Sequence, residues 1–174
     1  VPVLDAQKGH RGITANADRS GALLGILSLW ETEADREASD SALANARHEA
    51  LKIVGGELTV ENYEQLLAEV SSPPGPGSAL MVQRISMDQA KIDDNFAFFK
   101  TDVLPRIQAN AGFQSVRNMM NRKTGHGIEG TVWEDQDAMK DAAAEAQSRR
   151  QEASARGVRL VSVCSREILH SVIR

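Results

Sequence analysis

Along the C-terminal half of the chain, apolar residues recur first with the period of a strand and then with the period of a helix. The pattern predicts strands at residues 80–87, 115–122, 128–134 and 158–164, with the last one open to extension toward Ile173. It predicts helices at about residues 88–111 and 135–156, and Pro105 is a point where the first helix can bend or break. The resulting order is βαββαβ, which is the ferredoxin-like plait.

The chain also repeats itself at an offset of 103 residues, without a gap. Both tryptophans fall in register, because Leu29-Trp30-Glu31 lies over Val132-Trp133-Glu134. The first copy contains a helix end, strands at residues 12–18 and 23–30, a helix at about residues 32–53 and a strand from Leu58. The offset implies that a first strand and most of a helix, roughly two dozen residues, would precede Val1. We therefore expect the natural chain to be longer.

A stretch rich in proline, glycine and serine separates the two copies. Residues 72–78 have neither charge nor apolar periodicity, which is typical of a linker. The sequence predicts an N-terminal domain over residues 1–71, this linker, and a C-terminal domain over residues 79–174. The predicted class is α+β, with two tandem ferredoxin-like domains of which the first lacks its N-terminal strand.

Composition argues against several classes of function. The net charge of the 174 residues is −4, so we expect no nucleic-acid partner. No apolar run approaches the roughly 20 residues that span a bilayer, so we expect no membrane partner. The single cysteine, Cys164, cannot form an internal disulfide, which suits a reducing compartment and a cytoplasmic location. No Cys and His pair has zinc spacing, so we expect no metal site.

Two motifs that suggest binding have simpler structural interpretations. Residues 125–130 match the G-x-G-x-x-G string of dinucleotide-binding loops, but that motif needs a helix directly after it. Here predicted strands flank the string, so we predict a hairpin. Arg149 and Arg150 give the second helix a basic end, but acidic residues are spread along that helix, which indicates a solvated face.

A Trp-Glu pair at the end of the third strand, followed at once by an acidic helix, resembles the dimeric α+β barrel superfamily. The chain is most similar to its antibiotic-biosynthesis-monooxygenase group, through Leu29-Trp30-Glu31-Thr32-Glu33-Ala34, Val132-Trp133-Glu134-Asp135-Gln136-Asp137 and the strand entry Gly112-Phe113-Gln114-Ser115-Val116. In this superfamily two plaits pack sheet to sheet. The resemblance therefore implies a pseudo-dimeric α+β barrel, either as a monomer or paired further into a homodimer.

Members of the superfamily differ in function, so the fold leaves the activity open. Some oxidise quinol-like aromatic substrates with O2 and no cofactor, some degrade haem, and others bind small molecules. Our leading hypothesis is a cofactor-independent monooxygenase that acts on, or binds, a small hydrophobic or aromatic molecule between helix and sheet. The alternatives are a non-catalytic binding or assembly module and a haem-binding or haem-degrading protein. Whether the chain is an enzyme stays open among them.

The leading hypothesis assigns roles by side-chain chemistry. An indole offers a flat apolar surface, an amide polarises a substrate oxygen, and phenyl rings exclude water. The assigned residues are Asn118 and Trp133 as catalytic residues, and Gln83, Phe96, Phe99 and Trp30 as ligand-binding residues.

Two positions bear on the choice between oxygenase and haem chemistry. The oxygenase pattern has an Asn four residues before the Trp, where this chain has Ile26 and Glu129. Some haem-degrading members carry their axial histidine 18 residues after the Trp, and His48 stands there in the first copy. Haem is therefore the alternative to no cofactor, and His48 is its expected ligand.

Overall fold

Seven antiparallel strands form one sheet in the computed structural model, which describes residues 2–173. The strands are β1 (His10–Asp18), β2 (Leu23–Trp30), β3 (Glu64–Val70), β4 (Ala79–Ser86), β5 (Phe113–Asn121), β6 (His126–Trp133) and β7 (Arg159–Ile173). The helices are α1 (Pro2–Asp5), α2 (Glu33–Val54), α3 (Ile92–Phe98), α4 (Leu104–Gln108) and α5 (Gln136–Ala155). Strands β4 to β7 follow the order β7-β4-β6-β5 within the sheet, which is the order of a ferredoxin-like plait. The predicted α+β class and ferredoxin-like fold are confirmed.

Strand β7 joins the two halves of the chain because it pairs along both of its edges. Its first half pairs with β4, from Arg159 opposite Ser86 to Glu167 opposite Ala79. Its second half pairs with β1, ending at Ile173 opposite Gly12. The predicted extension toward Ile173 is confirmed, and the sheet order is β2-β1-β7-β4-β6-β5-β3.

The prediction of a strand from Leu58 is wrong, since β3 begins at Glu64. The corresponding segment of the C-terminal half, which is the first half of β7, explains why residues from Leu58 to Tyr63 form no strand. The first half of β7 is a strand because β4 pairs with it, and within the described residues the N-terminal half has no equivalent of β4. Backbone groups without a neighbouring strand form no ladder, so residues 57–63 are irregular. The edges of the described sheet are β2 and β3.

Element bounds coincide when the chain is shifted by 103 residues. Strand β1 then falls on β5 and strand β2 falls on β6, residue for residue. The helix caps coincide as well, because Thr32 caps α2 and Asp135 caps α5, each accepting a hydrogen bond from a backbone N–H of the first turn. The division into two domains stays a prediction.

The helix predicted over residues 88–111 is interrupted. A short 3₁₀ turn at Gln89–Lys91 leads into α3, and one π-helical turn at Phe99–Val103 separates α3 from α4. Pro105 lies in the first turn of α4, where its missing N–H costs least. The break therefore precedes the proline instead of following it.

Apolar side chains form a layer on each face of the sheet. The layer under the helices centres on Ile107, Val116 and Trp133. The layer on the opposite face contains Leu80, Val82, Val132 and Ile168. Across residues 2–173, none of the helices combines the length and apolar character that crossing a membrane requires.

We predict that Gly125→Ala lowers the free energy of unfolding by about 1–3 kcal/mol. Gly125 closes the β5–β6 hairpin with a φ of +70°, and an added Cβ would overlap the carbonyl oxygen of Met87. Gly75→Ala is the matched control, because nothing lies within 4 Å of the position where its Cβ would stand. Urea denaturation of both variants measures the difference, and equal free energies would contradict the prediction.

Candidate functional site

A cavity of about 100 Å³ lies between the helices and the C-terminal strands. Strands β4, β5 and β6 form its floor, and α3, the π-helical turn and α5 form its walls. Leu66 of β3 also lines it, so both halves of the chain contribute. A cavity of about 150 Å³ holds a benzene ring. This cavity is smaller, so the side chains that line it must move apart before a single ring can enter.

The side of the cavity formed by α3 and the π-helical turn is apolar and partly aromatic. Phe96, Phe99 and Val103 line it. The π-helical turn spans Phe99 and Val103, and both residues line the cavity, because residues four apart lie on the same side of a helical turn. Irregular turns of this kind often accompany functional sites. Phe96 and Phe99 therefore lie where the sequence hypothesis needs apolar walls.

The floor carries a row of three polar side chains. Glu129 of β6 lies directly opposite Gln83 of β4 on one side and opposite Asn118 of β5 on the other. Side chains of directly opposed residues share one face of a sheet, and all three line the cavity. The cavity thus has an apolar wall on its helical side and a strip of amide and carboxyl groups on its floor.

Glu129 is held at the centre of this strip by hydrogen bonds. Gln83 Nε2 donates to Glu129 Oε1 at 3.1 Å, and Arg150 Nε donates to Gln83 Oε1 at 2.7 Å. Thr131 Oγ1 approaches the same carboxyl oxygen at 3.4 Å. Burial raises the pKa of Glu129, and the positive charge of Arg149 opposes that shift. Glu129 therefore holds a proton more tightly than an exposed glutamate does.

Arg149 and Arg150 line the cavity from α5. The side chain of Arg149 is only 11% exposed, so the expectation of a solvated face is wrong at this position. Its Nη1 lies 3.0 Å from Glu145 Oε2, although this buried nitrogen has no hydrogen bond of good geometry within residues 2–173. Burial lowers the pKa of Arg149, yet a guanidinium stays charged at neutral pH. Two cations therefore stand above the polar strip.

Asn118 is 6% exposed and lines the cavity. Its carboxamide has no hydrogen-bond partner among the side chains and backbone groups of residues 2–173. The Asn118 amide is absent from the fully buried polar atoms that lack a partner within residues 2–173, so its hydrogen-bonding groups are open to the cavity. A polar ligand group in the cavity would satisfy them.

The structure keeps both tryptophans outside the cavity. Trp133 is 2% exposed in the layer under the helices, with its ring centroid 5.8 Å from that of Phe113. Trp30 lies beside His10, and its indole N–H donates to Ser28 Oγ at 3.1 Å. Neither indole lines this cavity, so neither one stacks on a ligand there. Asn118, Gln83, Phe96 and Phe99 are the predicted site residues that come together.

The residues around His48 do not fit an enclosed haem. His48 is exposed on α2 and lies outside the cavity. An axial histidine of a buried haem needs an apolar pocket around the macrocycle. Within residues 2–173, no group of three or more His, Cys, Asp or Glu side chains is arranged to hold a metal ion. The haem alternative stays a prediction without support from this arrangement.

Sequence reasoning assigned no role to Glu129, Arg149 or Arg150. A signal for Glu129 was present, because it stands four residues before Trp133, where the oxygenase pattern has an Asn. A signal for the arginines was also present. They follow Ala146 at the three- and four-residue spacing of one helix face, and Ala146 lies on the cavity side.

Comparisons with known proteins give relatives of unassigned function. No family model matches the chain. The uncharacterised Mycobacterium tuberculosis protein Rv2557 is 24% identical over 140 residues, which is 80% of this chain and 62% of that protein. A second uncharacterised Mycobacterium tuberculosis protein, Rv2558, is 25% identical over 154 residues, which is 86% of this chain and 65% of that protein. The chain thus spans less than two thirds of the length of these relatives.

Several solved structures share the fold. A proposed monooxygenase from Fusobacterium nucleatum superposes with a TM-score of 0.67 at 12% identity, over 98% of this chain and 81% of that one. An anthrone oxidase-like protein superposes with a TM-score of 0.64 at 14% sequence identity, over 99% of this chain and 83% of that one. A Listeria monocytogenes ferredoxin-fold protein related to antibiotic biosynthesis monooxygenases has a TM-score of 0.53 at 12% sequence identity. The match covers 90% of this chain and 79% of that one. A haem-degrading enzyme from the same species has a TM-score of 0.52 at 10% sequence identity, and the match covers 89% of this chain and 83% of that one. The resemblance to this group is confirmed as a likeness of fold.

We predict that Glu129→Gln removes a decrease in stability with rising pH. As pH rises past the ordinary pKa of glutamate, the unfolded chain loses this proton before the folded chain does. The contribution of Glu129 to folding is therefore lost as pH rises toward its raised folded-state pKa. Urea denaturation of wild type and variant between about pH 4 and pH 8 measures the difference.

The exposed residue Glu57 supplies the matched control, since Glu57→Gln makes the same change of charge outside the cavity. The free-energy difference between wild type and Glu57→Gln should lack the slope attributed to Glu129. An unchanged slope in Glu129→Gln would show that this carboxyl titrates like an exposed one.

Proposed function

We propose that the cavity binds a small aromatic molecule carrying a hydroxyl group, and that the protein oxidises this molecule with O2 without a cofactor. The observation that carries the proposal is that Asn118, whose carboxamide makes no hydrogen bond within residues 2–173, lines the same cavity as Phe96 and Phe99. A hydroxylated ring matches both surfaces, because its faces are apolar and its oxygen binds an amide.

Asn118 orients the ligand in this proposal, and Gln83 acts indirectly. The amide N–H groups of Asn118 donate to the ligand oxygen and stabilise negative charge that develops on it. Gln83 is already engaged by Arg150 and Glu129, so it acts by fixing Glu129 in place. Phe96 and Phe99 keep water from the reacting ring. These roles need only the geometry of the polar strip and the apolar wall.

The proposed reaction converts a phenol and one O2 into a quinone and one water. One oxygen atom of O2 enters the ring as the new carbonyl. The other leaves as water together with the hydroxyl hydrogen and the ring hydrogen that the new carbonyl replaces. Oxygenases of the superfamily that this chain resembles act on quinol-like rings without a cofactor, and an anthrone oxidase-like protein shares the fold. That likeness supports the substrate class and leaves the activity of the whole protein a proposal.

A non-catalytic binding module is the second candidate. The observation that favours it is Glu129, which replaces the Asn of the oxygenase pattern four residues before Trp133. Binding without turnover is the outcome that would distinguish this candidate from an oxygenase.

We predict that Ala153→Phe weakens the binding of 1,4-hydroquinone by about tenfold or more, a loss of at least about 1.4 kcal/mol. Ala153 lines the cavity from α5 and is partly buried, so a phenyl group there occupies ligand space. Ala143→Phe is the control on the exposed side of the same helix. Calorimetry measures the affinity, and an oxygen electrode measures O2 uptake above spontaneous oxidation.

Saturable binding and O2 uptake that both disappear in Ala153→Phe support the oxygenase. Saturable binding without O2 uptake supports the binding module. No saturable binding by wild type overturns both candidates for this cavity and ligand class.

We further predict that Asn118→Leu weakens 1,4-hydroquinone binding by about tenfold, the value of roughly one hydrogen bond. Leucine has a similar volume and lacks donor and acceptor, so the binding of toluene should stay equal or become tighter. Nuclear magnetic resonance titration of both ligands checks the pair. Equal losses for the two ligands would assign Asn118 a packing role instead.

A further inference from the structure

Glu129 leaves one carboxyl oxygen available to the cavity. Both hydrogen bonds that reach this carboxyl, from Gln83 and Thr131, end on Oε1. Oε2 has no donor among residues 2–173, and Glu129 lines the cavity beside Asn118. The free oxygen and the free carboxamide therefore meet the same ligand space.

The charges around Glu129 suit a transfer of negative charge from the carboxylate to a ligand. Arg149 and Arg150 on α5 are the cations whose fields act on Glu129, and Arg149 Nη1 also lies 3.0 Å from Glu145 Oε2. Burial favours the protonated carboxyl, and the same arginines favour an anion elsewhere in the cavity. A ligand that gives up a proton to Glu129 leaves its charge beneath two guanidinium groups.

We propose that Glu129 Oε2 accepts the hydroxyl proton of the bound phenol and that Asn118 holds the resulting phenolate oxygen. The O–H bond of the ligand breaks, its electron pair stays on the ligand oxygen, and a new O–H bond forms on Glu129. The negative charge moves from the carboxylate to the ligand, and no oxidant takes part. This inference rests on the proposed function, because it requires a phenol in the cavity.

The inference also specifies the ligand. The preferred ligand is a single ring whose hydroxyl is acidic, and a methyl ether of the same ring cannot enter the reaction. Asparagine in the place of Glu129 offers a hydrogen bond and accepts no proton. Proton transfer is thus a property of this side chain and not of the polar strip as a whole.

The test uses 4-nitrophenol, whose neutral and ionised forms have different absorption spectra, with the wild-type chain and Glu129→Gln. In wild type the proton stays inside the complex, so the bound probe keeps a constant phenolate fraction over roughly pH 5 to 7. In Glu129→Gln the proton must leave to the buffer, so the ratio of phenolate to phenol changes about tenfold per pH unit. Infrared difference spectra should show a protonated carboxyl band on binding in wild type only.

A second ligand separates loss of folding from loss of the proton acceptor. We expect 4-nitroanisole, which lacks the hydroxyl, to bind wild type, Glu129→Gln and the control Glu57→Gln with affinities within about twofold. That result combined with a lost plateau in Glu129→Gln supports the inference.

Two outcomes overturn the inference alone: a bound 4-nitrophenol that titrates alike in wild type and Glu129→Gln, or one that stays neutral throughout. Both leave the proposed function standing if Ala153→Phe still blocks binding. Absence of saturable binding of either probe by wild type overturns the proposed function as well.

Discussion

The pairing of β7 along both edges is the interaction on which the rest of the structure depends. A strand of 15 residues pairs with β4 along its first half and with β1 along its second half, and so joins the strands of both halves of the chain in one sheet. Backbone groups that leave water must be paired, so this strand dictates where its neighbours lie. Strand β4 is thereby fixed between β7 and β6, and its cavity-facing residue Gln83 comes to lie opposite Glu129. On the far side of the plait, β3 pairs with β5 and brings Leu66 to the cavity.

The polar strip interrupts an otherwise apolar layer. Hydrogen bonds among its side chains offset the free-energy cost of burying them. Arg150 donates to Gln83 and Gln83 donates to Glu129, so two of the three floor residues are engaged in a chain of hydrogen bonds. At an offset of 103 residues, Ala15 corresponds to Asn118 and Ile26 corresponds to Glu129. Ile26 is 60% exposed on the edge strand β2. The polar side chains that line the cavity therefore come from the C-terminal half of the chain, and Leu66 lines it from the N-terminal half.

Periodicity predicted the strands of the plait to within a few residues, because alternation reports directly on the two faces of a sheet. It failed at Leu58, where the residues have strand character but the described chain offers no partner strand. It also failed at Arg149, since a charge count along a helix cannot tell which face meets a cavity. The grouping of Asn118, Gln83, Phe96 and Phe99 followed from placing strands and helices in the right order. The exclusion of Trp133 from the cavity did not, because that depends on how deeply the helix layer closes over the end of β6.

The replacement of an amide by a carboxyl at one position decides what this cavity can do. The glutamate side chain is one methylene longer than that of asparagine, and both side chains accept a hydrogen bond. Only the carboxyl takes up a proton, and burial raises the pKa of Glu129, which strengthens it as a proton acceptor. Gln83 and Thr131 donate to one oxygen of Glu129, which lines the cavity, and leave its other oxygen without a donor among residues 2–173. A departure from the oxygenase pattern thus need not mean lost chemistry. At Glu129 it supplies a base where the pattern has only a hydrogen-bonding group.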